Sequence, residues 1–190
     1  MPRRSQWVAI LGGFLLLARD PVLGLALEWV EAREQAAAQS APIERPRIVS
    51  MLLAMNPSLS SITSERIAGA VLRCKREQGL PAELVLAVLL VESGARPAAR
   101  SPKGAIGLMQ VMPHMFEELS LPGNVAHIEA NVEAGCLLLA DNIHRLGEED
   151  GISAYFWGRR IQGQRYLRRV RTVLRDIGGL PAAEATRGHG

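Results

Sequence analysis

Residues 92–110 read ESGARPAARSPKGAIGLMQ, and they follow directly on the run LVLAVLLV at residues 84–91. Because that run has no polar face, it predicts a helix that is buried on nearly all sides at the centre of a domain. Glu92 falls one turn after Val88 and Leu89, so its carboxylate is expected where the buried helix ends. The glycine and proline residues that follow break the helix and predict a loop.

The position of Glu92 has a chemical consequence. A carboxyl group that is poorly solvated resists ionisation, so burial is expected to raise the pKa of Glu92. A carboxyl group that keeps its proton near neutral pH can act as the general acid that cleaves a glycosidic bond. The pattern leaves an alternative open, in which Glu92 is a carboxylate at a helix end that simply reaches solvent.

A set of residues at fixed spacing follows Glu92 and extends the motif well beyond one acid: Ser93, Pro97, Ala99, Ser101, Gly104, Ala105, Gly107, Leu108, Met109, Gln110, Met112 and Pro113. With these residues the stretch resembles the catalytic motif of lytic transglycosylases of the soluble lytic transglycosylase (SLT) type, which are relatives of goose-type lysozyme. A looser resemblance runs over residues 62–170. The resemblance implies an all-α, lysozyme-like helical domain whose substrate is the peptidoglycan glycan strand.

The resemblance also implies a reaction. Glu92 would donate a proton to the oxygen of the β-1,4 bond between N-acetylmuramic acid and N-acetylglucosamine, and it would then act as a base on the muramyl 6-hydroxyl group. That hydroxyl attacks the anomeric carbon and closes a 1,6-anhydro ring, so the enzyme is a lyase that is expected to need no metal or cofactor. One acid/base residue suffices if the acetamido group of the sugar stabilises the cationic centre, whereas a retaining glycosidase needs a second carboxylate about 5 Å away.

Four further residues are predicted to bind substrate because of the resemblance: Ser101, Met109, Gln110 and Tyr155. The matching serine of the family hydrogen-bonds the acid, the matching tyrosine points at it, and the other two match residues that line the sugar cleft. Each residue has an alternative interpretation. Ser101 can serve the turn before Pro102, Gln110 can be an ordinary exposed residue, and Met109 and Tyr155 can belong to the core.

The segment around Tyr155 departs from the family pattern. Phe156 and Trp157 stand where Asn and Ala are usual, and Arg159 and Arg160 replace a Pro-Gly continuation. These differences predict an altered cleft wall, with Trp157 either stacked on a sugar ring or packed in the core. They also keep two alternatives open: a hydrolytic muramidase on the same fold, and a catalytically inactive scaffold protein that binds peptidoglycan.

Helix signals place two further elements. Asn131 is predicted to cap a long helix that ends at Gly147. A closing helix over about residues 164–177 contains Tyr166 and Val170, which match residues of the family's last helix. This closing helix is therefore predicted to pack on the domain.

The two ends of the chain differ from its centre. A basic start followed by an apolar run at residues 7–18 is typical of an export signal, so residues 1–26 are predicted to be a signal peptide or a membrane anchor. Residues 27–47 are predicted to be a linker, residues 48–178 the lysozyme-like transglycosylase domain, and residues 179–190 a disordered tail. The protein is therefore expected to be periplasmic or otherwise exported, either free or anchored to the inner membrane.

Composition narrows the classes of function. Hydrophobic residues make up 48% of the chain and aromatic residues only 4%, which predicts an aliphatic core. The net charge of +3 lies mostly near the start of the chain, and no nucleic-acid-binding motif is present, so nucleic acid is not expected as a partner. The expected state is a monomer, and its compactness suggests local opening of the cell wall beside a secretion or envelope-spanning machine.

Two cysteines, Cys74 and Cys136, lie in apolar helical patterns. An oxidising compartment would allow them to form a disulfide, and two buried free thiols are the equal alternative. Because no histidine lies near them at ligand spacing, they make a poor zinc site.

Overall fold

The computed structural model describes residues 45–179, and helices account for most of that range. The described residues form seven helices: α1 Arg45–Met55, α2 Ser61–Gln78, α3 Ala82–Ser93, α4 Pro113–Glu118, α5 Ile128–Leu146, α6 Glu148–Trp157 and α7 Arg165–Gly179. Extended pairing within this range is limited to isolated bridges that join Ile106 to Arg100 and to Val111. The predicted all-α, lysozyme-like fold is confirmed.

Helix α3 lies at the centre of the domain. Every residue from Leu84 to Leu90 is buried, as the absence of a polar face predicts. Helices α2 and α7 both pack against α3, while α5 packs against α2 and α6. The closing helix therefore packs on the domain, as the resemblance of Tyr166 and Val170 to the family's last helix implies.

Helix α3 ends in a tight turn that starts the motif loop. Gly94 takes a left-handed conformation with φ 58°, and its N–H donates to the carbonyl of Leu90 at 2.9 Å. A residue with a side chain is strained in this conformation, so a glycine here ends the helix at low cost. The chain turns away directly after Glu92 and Ser93, which leaves the carboxyl group of Glu92 at the end of the buried helix.

The domain begins earlier than the sequence predicts. Helix α1 starts at Arg45, inside the predicted linker, and its residues Ile48 and Leu52 are fully buried. At the other end α7 continues through Gly179, the first residue of the predicted tail. The predicted signal peptide or anchor, residues 27–44 of the predicted linker and residues 180–190 lie outside the described residues. None of the described helices combines the length and the apolar character needed to cross a bilayer.

A disulfide joins Cys74 on α2 to Cys136 on α5, with 6.1 Å between their Cα atoms. Both residues are buried, and 62 positions separate them in the chain. Of the two states that the sequence leaves open, the structure contains the bonded one. The bond therefore links α2 to α5, two helices that pack against each other.

Candidate active site

Glu92 lines a groove of about 950 Å³. The other contributors are the connection between α1 and α2, including Asn56 and Ser60, and the motif loop over residues 96–101, together with Gln110. Glu92 itself is partly buried. Its carboxyl group thus lies between the core and an open groove.

The surroundings of Glu92 favour its neutral form. Burial raises the pKa of Glu92, and this effect outweighs a hydrogen bond from Tyr166 and the positive charge of Arg169, which both lower it. The Tyr166 hydroxyl donates to Oε1 of Glu92 at 2.6 Å. The net direction is the one that a general acid needs, because the group keeps its proton at a higher pH than an exposed glutamate does.

Tyr166 is a contact of Glu92 that the sequence analysis missed. Burial, followed by the negative charge of Glu92, raises the pKa of Tyr166 well above its ordinary value of 10.0. The phenol therefore stays protonated and remains a hydrogen-bond donor whether Glu92 is ionised or neutral. The available signal was the match of Tyr166 to the family's closing helix, but that match predicts packing of a helix and does not identify its neighbour.

Tyr155 has a different contact from the one that the resemblance implies. Its hydroxyl donates to the carbonyl of Met109 at 2.8 Å. No hydrogen bond joins it to Glu92 within residues 45–179, although the charge of Glu92 is close enough to raise the pKa of Tyr155 further after burial. Tyr155 therefore holds the backbone of the motif in place, and Tyr166 is the tyrosine that contacts the acid.

The prediction that the Met109 side chain lines the sugar cleft is wrong. Met109 is 0% exposed and belongs to the hydrophobic core. Space for it is provided by Gly135 on α5, where an added Cβ would collide with the Cβ of Met109 and lie 2.8 Å from the Tyr155 hydroxyl. Met109 therefore anchors the motif loop to α5 from inside.

Gln110 and Ser101 both line the groove. The amide nitrogen of Gln110 donates to the carbonyls of Gly107 at 2.9 Å and Ala99 at 3.3 Å, and no hydrogen bond in the described range uses its amide oxygen. The Ser101 hydroxyl accepts the N–H of Ala105 at 3.0 Å. The predicted hydrogen bond between Ser101 and Glu92 is absent from the described residues, so the turn interpretation of Ser101 is the one that the structure bears out.

The prediction that Asn131 caps a helix is wrong. Helix α5 starts at Ile128, so Asn131 lies inside its first turn and is buried. Its side chain accepts the N–H of Met109 at 2.8 Å and donates to the carbonyls of Ile106 and Val125, each at 2.8 Å. The signal that could have revealed this role is a polar residue at a helix position that faces the core, where it must find polar partners.

Two of the residues that depart from the family pattern, Phe156 and Trp157, form an aromatic cluster with Tyr166, the residue that contacts Glu92. Phe156 stacks on Tyr166 with 5.0 Å between ring centroids and 16° between planes, and Trp157 meets Phe156 edge-on at 4.9 Å. Phe156 is 53% exposed, whereas Trp157 is partly buried and its indole N–H donates to the carbonyl of Gly163 at 3.0 Å. The departure therefore changes the surroundings of the Tyr166–Glu92 pair.

Glu92 is the one acidic residue that lines the groove among the described residues. Glu129 is a contrasting case at the surface: its hydrogen bonds with Arg66, at 2.9 and 2.8 Å, lower its pKa to about 2. Groups of three or more His, Cys, Asp or Glu side chains that could hold a metal ion do not occur between residues 45 and 179. The chemistry that these residues can offer in the groove is therefore centred on a single carboxyl group.

The family model for the transglycosylase SLT domain matches residues 70–172, which is more than half of the chain. The chain belongs to the SLT family. Among curated proteins, no match to the chain was found. The matched range contains Glu92 and the whole motif loop, so the groove described above belongs to a domain that acts on peptidoglycan.

The family match does not extend to one part of the groove of this SLT domain. Asn56, Ser58, Ser60 and Thr63 line the groove but precede the matched range, which begins within α2. These side chains are neutral and polar. The matched range thus supplies the acid and the motif loop, and the connection between α1 and α2 together with the first turn of α2 forms the rest of the lining.

Proposed function

We propose that this SLT-domain protein is a peptidoglycan lytic transglycosylase in which Glu92 is the general acid and base. The observation that carries the proposal is the position of Glu92. It is a partly buried carboxyl group with a raised pKa, it opens on a groove of about 950 Å³, and it sits in the SLT domain.

In the first half of the proposed reaction, Glu92 donates its proton to the glycosidic oxygen as the bond to the anomeric carbon of N-acetylmuramic acid breaks. The chain bearing N-acetylglucosamine leaves with a new hydroxyl group. The acetamido group of the muramyl residue stabilises the positive charge that develops at the anomeric carbon. A second protein carboxylate is not needed for this step, which suits a groove lined by one acidic residue.

In the second half, the Glu92 carboxylate takes the proton of the muramyl 6-hydroxyl group. The oxygen of that hydroxyl attacks the anomeric carbon and forms the 1,6-anhydro ring, so no water is consumed. The Tyr166 hydroxyl, 2.6 Å from Oε1, stabilises the carboxylate between the two steps because it remains a donor throughout. The free amide oxygen of Gln110 can accept a hydrogen bond from a sugar hydroxyl or acetamido N–H.

Digestion of purified sacculi, followed by mass analysis of the soluble products, tests this proposal. The expected products end in 1,6-anhydromuramic acid, and Glu92→Gln is expected to lower the rate of their release at least ~100-fold. Glu118→Gln is the matched control, because Glu118 is exposed and does not line the groove. Reducing ends in place of anhydro ends would instead identify a hydrolytic muramidase, and a lack of products would leave the scaffold alternative.

The proposal includes export, because the substrate lies outside the cytoplasm. Residues 1–26, with their basic start and apolar run, support this part. Fractionation of cells that produce the full chain is expected to recover it outside the cytoplasm. The mass of the recovered protein distinguishes a cleaved signal peptide from a retained anchor, and recovery of full-length protein only in the cytoplasm would contradict export.

A further inference from the structure

Two arginine side chains, Arg96 and Arg100, line the groove beside the catalytic acid. Both are exposed, and neither side chain takes part in an ion pair or a hydrogen bond within the described range. Glu92 is the one acidic residue among the described residues that lines the same groove, and its carboxyl group accepts a hydrogen bond from Tyr166. The groove therefore carries two positive charges that the described part of the protein does not neutralise.

The backbone holds both arginines in defined places. The carbonyl of Arg96 accepts the N–H of Ala99 at 3.1 Å, and Arg100 pairs with Ile106 in one of the isolated bridges. The carbonyl of Ala95, next to Arg96, accepts the side-chain amide of Asn56 at 3.0 Å. Both positive charges lie on one short, well-anchored loop, so an anion that reached both would be favoured.

The rest of the lining has a different character. Asn56, Ser58 and Ser60 offer neutral hydroxyl and amide groups, which suit the hydroxyl and acetamido groups of a sugar. Where a peptide is attached, the lactyl carboxyl group of the muramyl residue is bound in an amide, so the sugars themselves carry no charge that would call for two arginines. Carboxylates occur on the peptides attached to the muramyl residues, and a guanidinium group matches a carboxylate with two parallel hydrogen bonds.

We propose that Arg96 and Arg100 form a carboxylate-binding subsite for the peptides carried by the glycan strand, so that the groove selects peptide-bearing strands over bare glycan. This inference rests on the proposed function, because it assumes that a glycan strand occupies the groove. It adds to that function a recognition element formed by residues that take no part in the bond cleavage.

Binding of two matched ligands tests the inference. The ligands are soluble, uncross-linked glycan strands with their peptides and the same strands after an amidase has removed the peptides and the lactyl carboxyl groups so freed have been converted to neutral amides. Calorimetric titration into Glu92→Gln protein, which leaves the strands intact, gives both dissociation constants. The peptide-bearing strand is expected to bind about 5- to 10-fold more tightly, a range set by two solvent-exposed ion pairs.

Arg96→Gln/Arg100→Gln in the same background is expected to abolish this preference and to leave the affinity for bare glycan unchanged. Lys103→Gln is the matched control, because Lys103 is an exposed cation of the same loop that does not line the groove. Raising the salt concentration is expected to reduce the preference, since these pairs are exposed. Far-UV circular dichroism verifies that each variant is folded.

Three outcomes would overturn the inference: equal affinity for the two strands, a preference that survives in the double arginine variant, or no measurable binding of the peptide-bearing strand. The proposed function is tested separately, by the masses of the products that the unsubstituted protein releases from bare glycan. Anhydro ends from bare glycan together with equal affinities would reject the subsite and keep the transglycosylase.

Discussion

The hydroxyl group of Tyr166 donates a 2.6 Å hydrogen bond to Oε1 of Glu92, although 74 positions separate the two residues in the chain. Tyr166 lies on α7 and Glu92 near the end of α3, and these helices pack against each other. Because the bond stabilises the ionised carboxylate, it opposes the effect of burial on the pKa of Glu92. Burial thus favours the protonated form of Glu92, whereas the hydrogen bond from Tyr166 favours the ionised form.

Tyr166→Phe removes this partner. The pKa of Glu92 is then expected to rise further, because a contact that lowers it is lost. Since Glu92 must be protonated to start the proposed reaction, the alkaline limb of the pH–rate profile should move to higher pH, and kcat should fall about tenfold as the charged carboxylate loses a hydrogen bond. The profile of anhydro-product release against pH measures both effects.

Tyr155→Phe is the control for this experiment, because the Tyr155 hydroxyl donates to Met109 and not to Glu92. The alkaline limb of the pH–rate profile of Tyr155→Phe is expected to lie at the same pH as that of the parent. If the alkaline limb of both variants lay at the same pH as that of the parent, the hydrogen bond from Tyr166 would not influence the pKa of Glu92.

Glu92 is also expected to lower stability at neutral pH. Its pKa in the folded protein lies above the ordinary 4.5, so the folded state holds the proton more strongly than the unfolded state. The contribution of Glu92 to stability is therefore fully present below that ordinary value and is lost as the pH rises through the folded pKa. Glu92→Gln, which cannot ionise, should gain stability relative to the parent as the pH increases.

Thermal unfolding of parent and Glu92→Gln from pH 4 to pH 8 measures this difference. The gap in Tm is expected to widen in favour of the variant as the pH increases. A gap that is constant over this range would mean that the carboxyl group has the same pKa in both states.

Phe156→Asn places the residue usual in the family beside Tyr166 and removes the ring stack. An aromatic pair contributes about 1 kcal/mol beyond the burial of its surface, so a loss of about this size in the free energy of unfolding is expected. Phe156→Tyr keeps the stack and should match the parent. Urea denaturation of the parent and the two variants measures this loss. Equal midpoints for all three proteins would show that the stack does not contribute to the free energy of unfolding.

Asn131→Ala is expected to destabilise the domain by about 3 kcal/mol or more, because the N–H of Met109 and two carbonyls lose a buried partner. Asn131→Asp retains an acceptor for Met109 but not the two donated bonds, so its loss should be smaller when the carboxyl group is protonated. Chemical denaturation at low and neutral pH compares the variants. A loss below about 0.5 kcal/mol for alanine, the range of ordinary surface substitutions, would contradict this role.

The disulfide between Cys74 and Cys136 closes a loop of 62 positions. In the chain-entropy account, a cross-link of this span is worth about 4 kcal/mol, and Cys74→Ser/Cys136→Ser should lose roughly that amount of unfolding free energy. Thiol labelling of denatured, exported protein is expected to find no free cysteine. Two reactive thiols in that material would contradict the bond.

Much of the domain could be derived from the sequence because the relevant physics is local. The apolar run before Glu92 determines a buried helix, Gly94 determines where it ends, and together they place a carboxyl group at the rim of the core. The fixed spacing of the following motif identified the family, and the family model confirms it. None of these steps requires knowledge of which distant segments meet.

Only the tertiary structure decided which side chains surround the acid. Ser101, close in sequence, uses its hydroxyl within its own turn, whereas Tyr166 reaches Glu92 because α7 packs on α3. Met109 is buried because Gly135 of α5 leaves room for it. Asn131 binds the backbone of the motif because its helix starts four residues earlier than the pattern predicts. A pattern of residues specifies turns and helix faces, but contacts between helices depend on how their surfaces fit together, and that fit is set by the whole packed domain.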